Sequence, residues 1–376
     1  MGQQGHLLPA PGRRSVSTRH PGRGDQVLPY RTFRAGDPWS ADRRHDAGIP
    51  RPARWNLTSL GSGQPFLPHG CDLLVCLGAR FDDRVTGRLD GFSPGSRKIH
   101  VDVDPSEIGK LVPVDLGVVG DAADVLEAVL RAWGEAAAPD LTSWWQDIAG
   151  WRSQRCLAFR PNPDRVLPQH ALSQLSALLR DHDVVVSTDV GQHQMWAAQY
   201  MSFDEPGRGL TSGGLGTMGY GLPAALGAQI AYPDRLVVCV SGEASVQMNI
   251  QELATAVQHR LPVKLIILNN GAMGMVRQWQ DLIHDRRLSH SRAEALPDFV
   301  ALAAAYGWSG FRIDDPAELT ASLAHALATP GPVLVEIVTA GAENCYPMLP
   351  PGAAHHEMLL SDCRDADGLP LDRPRS

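Results

Sequence analysis

Between residues 183 and 338, short apolar runs rich in β-branched residues alternate with stretches of helical spacing, and this alternation restricts the fold more than any other feature of the chain. The runs are 183–188, 236–241, 263–269, 311–314 and 333–338; the helical patterns between them are 222–230, 246–259, 297–306 and 317–328. Strands joined through helices run parallel. A parallel sheet is covered on both faces, so its strands read as continuous apolar runs. The expectation is an α/β fold with a parallel sheet, whose chemistry sits in the loops after the carboxyl ends of the strands.

The pattern extends upstream. Residues 71–79 (CDLLVCLGA) and 98–104 (KIHVDVD) read as buried strands and 122–133 as a helix, so 67–135 is a partial α/β central domain. Residues 136–164, with Trp144, Trp145 and Trp151, read as a linker with a helical piece; 165–360 forms the main domain and 361–376 a tail. Residues 1–66 hold ten arginines against four aspartates and show no apolar period, which reads as an irregular Pro/Arg-rich arm. A formal charge of −7 argues against a nucleic-acid binder that works by neutralising phosphates. No apolar stretch of about 18 residues is present to cross a bilayer. Six scattered cysteines without a CxxC pair, and no secretory leader pattern, point to the cytoplasm.

The loops carry the chemical signal. Asp189-Val-Gly-Gln-His193 follows one strand, Gly242-Glu-Ala-Ser245 the next, and the third ends in Asn269-Asn270-Gly271; a glycine-rich segment, Thr211 to Tyr220, precedes a helix. Small residues there let backbone N–H groups approach a phosphate. Gly214-x-Gly216-x-x-Gly219 matches a dinucleotide fingerprint, with Asp234 downstream, yet it follows the segment 205–209 and not a buried strand, so an NAD site is the weaker reading. The stronger one is a diphosphate held through a metal. A carboxylate, an amide oxygen, a backbone carbonyl and phosphate oxygens supply most of the roughly six hard ligands that Mg²⁺ takes.

A Gly-acid pair and an Asn-Asn pair 27 residues apart resemble the metal motif of the thiamine-diphosphate enzymes. Gly78 to Gly87 (GARFDDRVTG), Gly213 to Ala224 (GGLGTMGYGLPA), Asn249 to Leu253 (NIQEL) and Gly274 to Gln280 (GMVRQWQ) are similar to signatures of one family, the large, catalytic subunit of acetolactate (acetohydroxyacid) synthase. The resemblance covers residues 71 to 360 and implies a thiamine-pyrophosphate domain preceded by part of a flavin-binding-type domain.

It also implies roles. Glu243, Asn270 and the carbonyl of Ala272 would ligate Mg²⁺; Val190, Gly191, Gln192, His193, Gly242, Ala244, Ser245 and Gly274 would line the diphosphate, with Gly216 and Met218 near the aminopyrimidine. Met275 would prop the cofactor in its bent form, and Arg84 and Trp279 would hold the second 2-keto acid. Arg80, Asp82, Asp102 and Asp121 would contact FAD. The implied reaction is decarboxylation of pyruvate and carboligation to a second 2-keto acid, in branched-chain amino acid biosynthesis; the alternatives are another thiamine-diphosphate carboligase or decarboxylase, or an inactive remnant. Two departures bear on activity. Glu243 stands where the family has aspartate, and residues 1–66 do not resemble the family's pyrimidine-binding domain, whose glutamate drives cofactor activation. The expected partners are 2-keto acids, further copies of the chain, and a regulatory subunit or a separate pyrimidine-domain polypeptide.

Overall fold

A computed structural model describes residues 70–153, 157–203 and 205–359. The arm (1–66), the tail (361–376), Cys156 and Cys363 lie outside the described residues. The first sheet is parallel, in the order β1 (Leu73–Leu77), β2 (Arg97–Asp102), β3 (Leu116–Val119). One face of β1 turns Leu74 and Cys76 onto a small cluster of Phe81, Phe92 and Val112, with the two phenyl rings edge to face at 5.7 Å. After β1 a one-turn helix, α1 (Asp83–Thr86), is capped by the Asp82 carboxylate. Helix α2 (Ala122–Trp133), capped by Asp121, follows β3. The linker contains a helix of three turns, α3 (Thr142–Ser153).

The second sheet has six parallel strands. In chain order the elements are α4 (Pro168–Leu179), β4 (Val184–Thr188), α5 (Gln192–Tyr200), β5 (Gly209–Thr211), α6 (Gly221–Ala231), β6 (Leu236–Gly242), α7 (Glu252–Gln258), β7 (Lys264–Asn269), α8 (Gly274–Leu282), α9 (Phe299–Ala305), β8 (Ser309–Ile313), α10 (Leu319–Ala328) and β9 (Val333–Val338). Across the sheet the order is β5-β4-β6-β7-β9-β8, so the chain progresses in one direction from β4 to β5 and in the other from β4 to β6. A crevice opens where the direction changes, beyond the carboxyl ends of β4, β6 and β7.

Side chains two apart share a face, which divides the core in two. Val186, Val238, Val240, Ile266 and Val335 pack under α4, α5 and α10 through Leu172, Leu175, Trp196, Leu319 and Leu323. Val185, Val237, Cys239, Leu265 and Ile267 pack on the other face against Leu222, Leu253, Phe299 and Trp308. Lys264, at the start of β7, is buried; its Nζ donates to the Thr329 and Gly331 carbonyls, and burial lowers its pKa to about 8.

The strands and helices expected from the alternation are present with shifted ends, and four details differ. β1, expected as a buried strand, buries only one face and leaves Leu73, Val75 and Leu77 exposed on the other. A continuous helix over 246–259 is replaced by a 3-10 turn, Val246–Asn249, followed by α7. The turn presses on the glycine-rich loop: Asn249 Nδ2 donates to the Gly219 carbonyl at 2.7 Å, and a Cβ on Gly219 would stand 2.8 Å from Met248 Cβ. The segment entering the glycine-rich loop forms a three-residue edge strand, β5. Helices α4, α5 and α8 carry no period that the sequence reading used. Among the described residues, no helix is long and apolar enough to cross a membrane.

Candidate functional site

The crevice is lined by four segments: Val190 to His193 and Trp196 after β4; Met218 from the glycine-rich loop; Gly242 to Ser245 after β6; and Asn270 with Ala272 to Val276 after β7, with Thr339 closing it beyond β9. Each lies at the carboxyl end of its strand or just beyond.

Asp189 organises the entrance. Its side chain, fully buried, accepts from Val190 N–H and Gly219 N–H, each at 2.8 Å, and from Ser241 Oγ at 3.2 Å. Those bonds draw the glycine-rich loop against β4. Gly221 must be glycine for this approach, because a Cβ there would lie 2.8 Å from the Asp189 nitrogen. Burial raises the Asp189 pKa against the lowering effect of its hydrogen bonds.

The turns after β6 and β7 meet face to face. Glu243, 2% exposed, crosses the gap and accepts from Ala272 N–H through Oε1 at 2.7 Å. Asn270 Oδ1 accepts from the same N–H at 3.0 Å, and Asn270 Nδ2 donates to Gln192 Oε1 at 3.1 Å. A carboxylate oxygen and an amide oxygen are therefore fixed on one backbone N–H. Burial pushes the Glu243 pKa up to about 7; N–H donors from its own residue, Ala272 and Asn270 oppose this, and the nearby Glu336 carboxylate adds to it. Glu336 is itself buried behind the site, accepting from Asn269 Nδ2 at 2.7 Å and Arg312 Nε at 2.8 Å.

His193 forms part of the wall. Its Nε2 is buried without a hydrogen-bond partner among the described residues, and burial lowers its pKa to about 3, so the ring is neutral. The ring fits because Gly191 and Gly242 carry no Cβ; a methyl on either would stand 2.8 Å from a ring atom. Met218, Met273, Met275 and Val276 make the other side apolar.

The lining residues include one carboxylate, one carboxamide facing it, short side chains that bare the backbone, and neither lysine nor arginine. A diphosphate cannot be neutralised there by protein side chains. A divalent cation bridging it to Glu243 and Asn270 can do so, and the orphaned His193 nitrogen offers a further polar contact. The donor set fits a metal-held diphosphate.

Residues 189–337 match the model described as thiamine pyrophosphate enzyme, C-terminal TPP binding domain, and residues 57–129 match the thiamine pyrophosphate enzyme central domain. The chain is 45% identical over 300 residues to acetolactate synthase isozyme 3 large subunit of Escherichia coli (strain K12), an alignment covering 78% of this chain and 52% of that protein. It is 46% identical over 297 residues to the acetolactate synthase large subunit of Haemophilus influenzae, covering 78% and 52%, and 46% identical over 291 residues to that of Parasynechococcus marenigrum, covering 77% and 47%. The chain belongs to the acetolactate synthase large-subunit family of thiamine pyrophosphate enzymes. It spans about half the length of the curated relatives it matches.

Within this family member, most of the residues singled out from the sequence come together. Val190, Gly191, Gln192, His193, Met218, Gly242, Glu243, Ala244, Ser245, Asn270, Ala272, Gly274 and Met275 line one crevice. Gly216 does not line it; it sits in an exposed turn with φ +63°. Arg84 and Trp279 meet at the rim, the guanidinium carbon 5.6 Å from the indole centroid, so the three-stranded domain touches α8 there. Arg80 reaches the glycine-rich loop through a 3.3 Å bond to the Gly214 carbonyl and pairs with Asp82 at 2.8 Å.

The acids that the resemblance assigns to FAD make local hydrogen bonds. Asp82 and Asp121 cap α1 and α2 through Val85 N–H and Ala123 N–H, and Asp102 Oδ1 accepts from Asp104 N–H; none of them lines the crevice. The sequence reading did not pick out Asp189, Trp196, Glu336 or Thr339. Asp189 carried a signal in its place, an acid ending an apolar strand before a glycine. Trp196, Glu336 and Thr339 gave none that distinguishes them from core residues.

Proposed function

We propose that the crevice holds thiamine diphosphate through Mg²⁺ and that the chain serves the acetolactate synthase reaction, joining the two-carbon unit of pyruvate to a second 2-keto acid with release of CO₂. The observation that carries this reading is the Glu243 carboxylate lying against the Asn270–Ala272 turn in a cradle without lysine or arginine. When bound, the cofactor supplies the carbon nucleophile and the electron sink. Glu243, Asn270 and the Ala272 carbonyl ligate the metal, while Val190 to His193, Gly242, Ala244, Ser245 and Gly274 give the diphosphate its bed. Met218 serves the aminopyrimidine side and Met275 the apolar side. Arg84 forks onto the acceptor's carboxylate as Trp279 walls its alkyl group, so that pyruvate or 2-oxobutanoate is oriented toward the bed.

The same reading assigns FAD to the central domain and places the protein in the cytoplasm, in an assembly of further copies with a regulatory subunit or a polypeptide bearing a pyrimidine domain. Titration calorimetry tests the binding: heat of association is expected with thiamine diphosphate and Mg²⁺ together and not with either alone. No heat with both present would overturn the reading. Assay of acetolactate from pyruvate, with and without a pyrimidine-domain polypeptide in trans, then separates an active enzyme from a chain that binds cofactor and turns nothing over.

A further inference from the structure

An asparagine that ligates a cation must present its oxygen; turned through 180° about its last bond, it presents an NH₂ group, which repels the ion. Asn270 has both ends engaged: its Oδ1 accepts from Ala272 N–H at 3.0 Å, and that orientation holds only if the group behind its NH₂ end presents an oxygen. Its Nδ2 donates to Gln192 Oε1 at 3.1 Å. Gln192 is also an amide that can turn, but its Nε2 donates to Gln278 Oε1 at 2.7 Å and to the Glu343 carbonyl at 3.2 Å, which leaves Oε1 for Asn270. Gln278, on α8, is a third amide. Its Oε1 accepts from Cys345 N–H at 2.8 Å, and its Nε2 donates to the Cys345 carbonyl at 3.2 Å and to Met348 Sδ at 3.1 Å.

The series ends on a backbone. The N–H and C=O of Cys345 cannot exchange places, so they admit the Gln278 amide in one orientation only, and each amide then dictates the next. Gln192 and Gln278 are 2% and 1% exposed, which keeps water from substituting for a partner. Gly274 makes room where the series reaches the crevice: a Cβ there would collide with Gln192 Oε1 and lie 2.7 Å from Asn270 Nδ2.

We propose that Gln278 is a positioning residue for the metal site: through Gln192 it holds the Asn270 amide with its oxygen toward the cation, reading that polarity from the Cys345 backbone. The proposal rests on the reading of the crevice as a Mg²⁺ and thiamine-diphosphate site, and it concerns a residue that touches neither ligand.

The test is the Mg²⁺ dependence of thiamine-diphosphate binding, measured by calorimetry on the full chain, with thermal unfolding recorded for every protein. Gln278→Met, close in size but without an amide, is expected to weaken Mg²⁺ at least about tenfold, the range seen when groups behind metal ligands are removed. Gln278→Glu, kept protonated by burial, presents one oxygen to Gln192 and Cys345 N–H and its O–H to the Cys345 carbonyl, and is expected to keep affinity within about threefold. Leu323→Val, in the core beneath α10, reports what an equal loss of stability does to binding. If Gln278→Met binds Mg²⁺ within twofold of the parent, or if Gln278→Glu falls as far as Gln278→Met, the positioning role is wrong while the site stands. If Gln278→Met does not fold, Gln278→Glu decides alone: a loss of tenfold or more overturns the role and near-parental affinity supports it. Absence of Mg²⁺-dependent binding by the parent overturns the site itself and this role with it.

Discussion

Glu243 is a carboxylic acid whose environment favours its proton, with a pKa near 7 against an ordinary value of 4.5. In the metal-free protein the consequence for stability has a definite sign. Below about pH 4.5 the group is protonated in both folded and unfolded chains and its contribution is intact. As pH rises from there toward 7 the unfolded chain ionises first, and stability falls by about 3 kcal/mol, then levels off. Urea unfolding of metal-free protein between pH 5 and 8 is expected to show this loss as a difference in slope between the parent and Glu243→Gln, because the neutral His193 contributes a gain of opposite sign up to about pH 6.5 in both. An unchanged slope in the variant would place the titrating group elsewhere. The same substitution removes the anionic ligand, so Mg²⁺-dependent binding of thiamine diphosphate is expected to weaken by a hundredfold or more, read by calorimetry.

Helix α9 shows how one side chain fixes the start of an element: Asp298 accepts from Val300 and Ala301 N–H and also pairs with Arg312 at 3.0 Å. Asp298→Ala is expected to cost about 1 kcal/mol by urea unfolding. How far each element was legible in the sequence follows from what it faces. β6 and β7 are buried on both sides, so runs such as Leu236 to Val240 announce themselves. α5 could not be read that way, since Gln192 and His193 are buried polar residues on a crevice wall and break any apolar stripe. α8 begins at Gly274 and buries Arg277 and Gln278, again contrary to the rule that polar residues face water. β5 is too short for a period of two to register. The turns that make the site were legible for the opposite reason: glycine, acid and amide in a fixed order are required by close backbone approach and leave their mark on composition. Asp82 and Asp121 cap helices, and the residue types that do so are also those that would hold a ribose, so their types alone do not separate the two roles.

At the scale of the molecule, the Arg84–Trp279 contact joins the three-stranded domain to α8, and on the proposed function acceptor choice would depend on how these two parts meet. Trp279→Leu is expected to keep Mg²⁺-dependent cofactor binding while changing the ratio of products formed from pyruvate and 2-oxobutanoate in competition; an unaltered ratio would remove Trp279 from the acceptor pocket. Every strand of the larger sheet points the same way. The loops that line the crevice therefore gather on one rim, and the opposite rim is left with connections alone. The exposed turn at Asp234, between α6 and β6, belongs to that second rim. A fluorophore attached there through Asp234→Cys has a vantage point from which to watch the crevice being loaded without touching its lining.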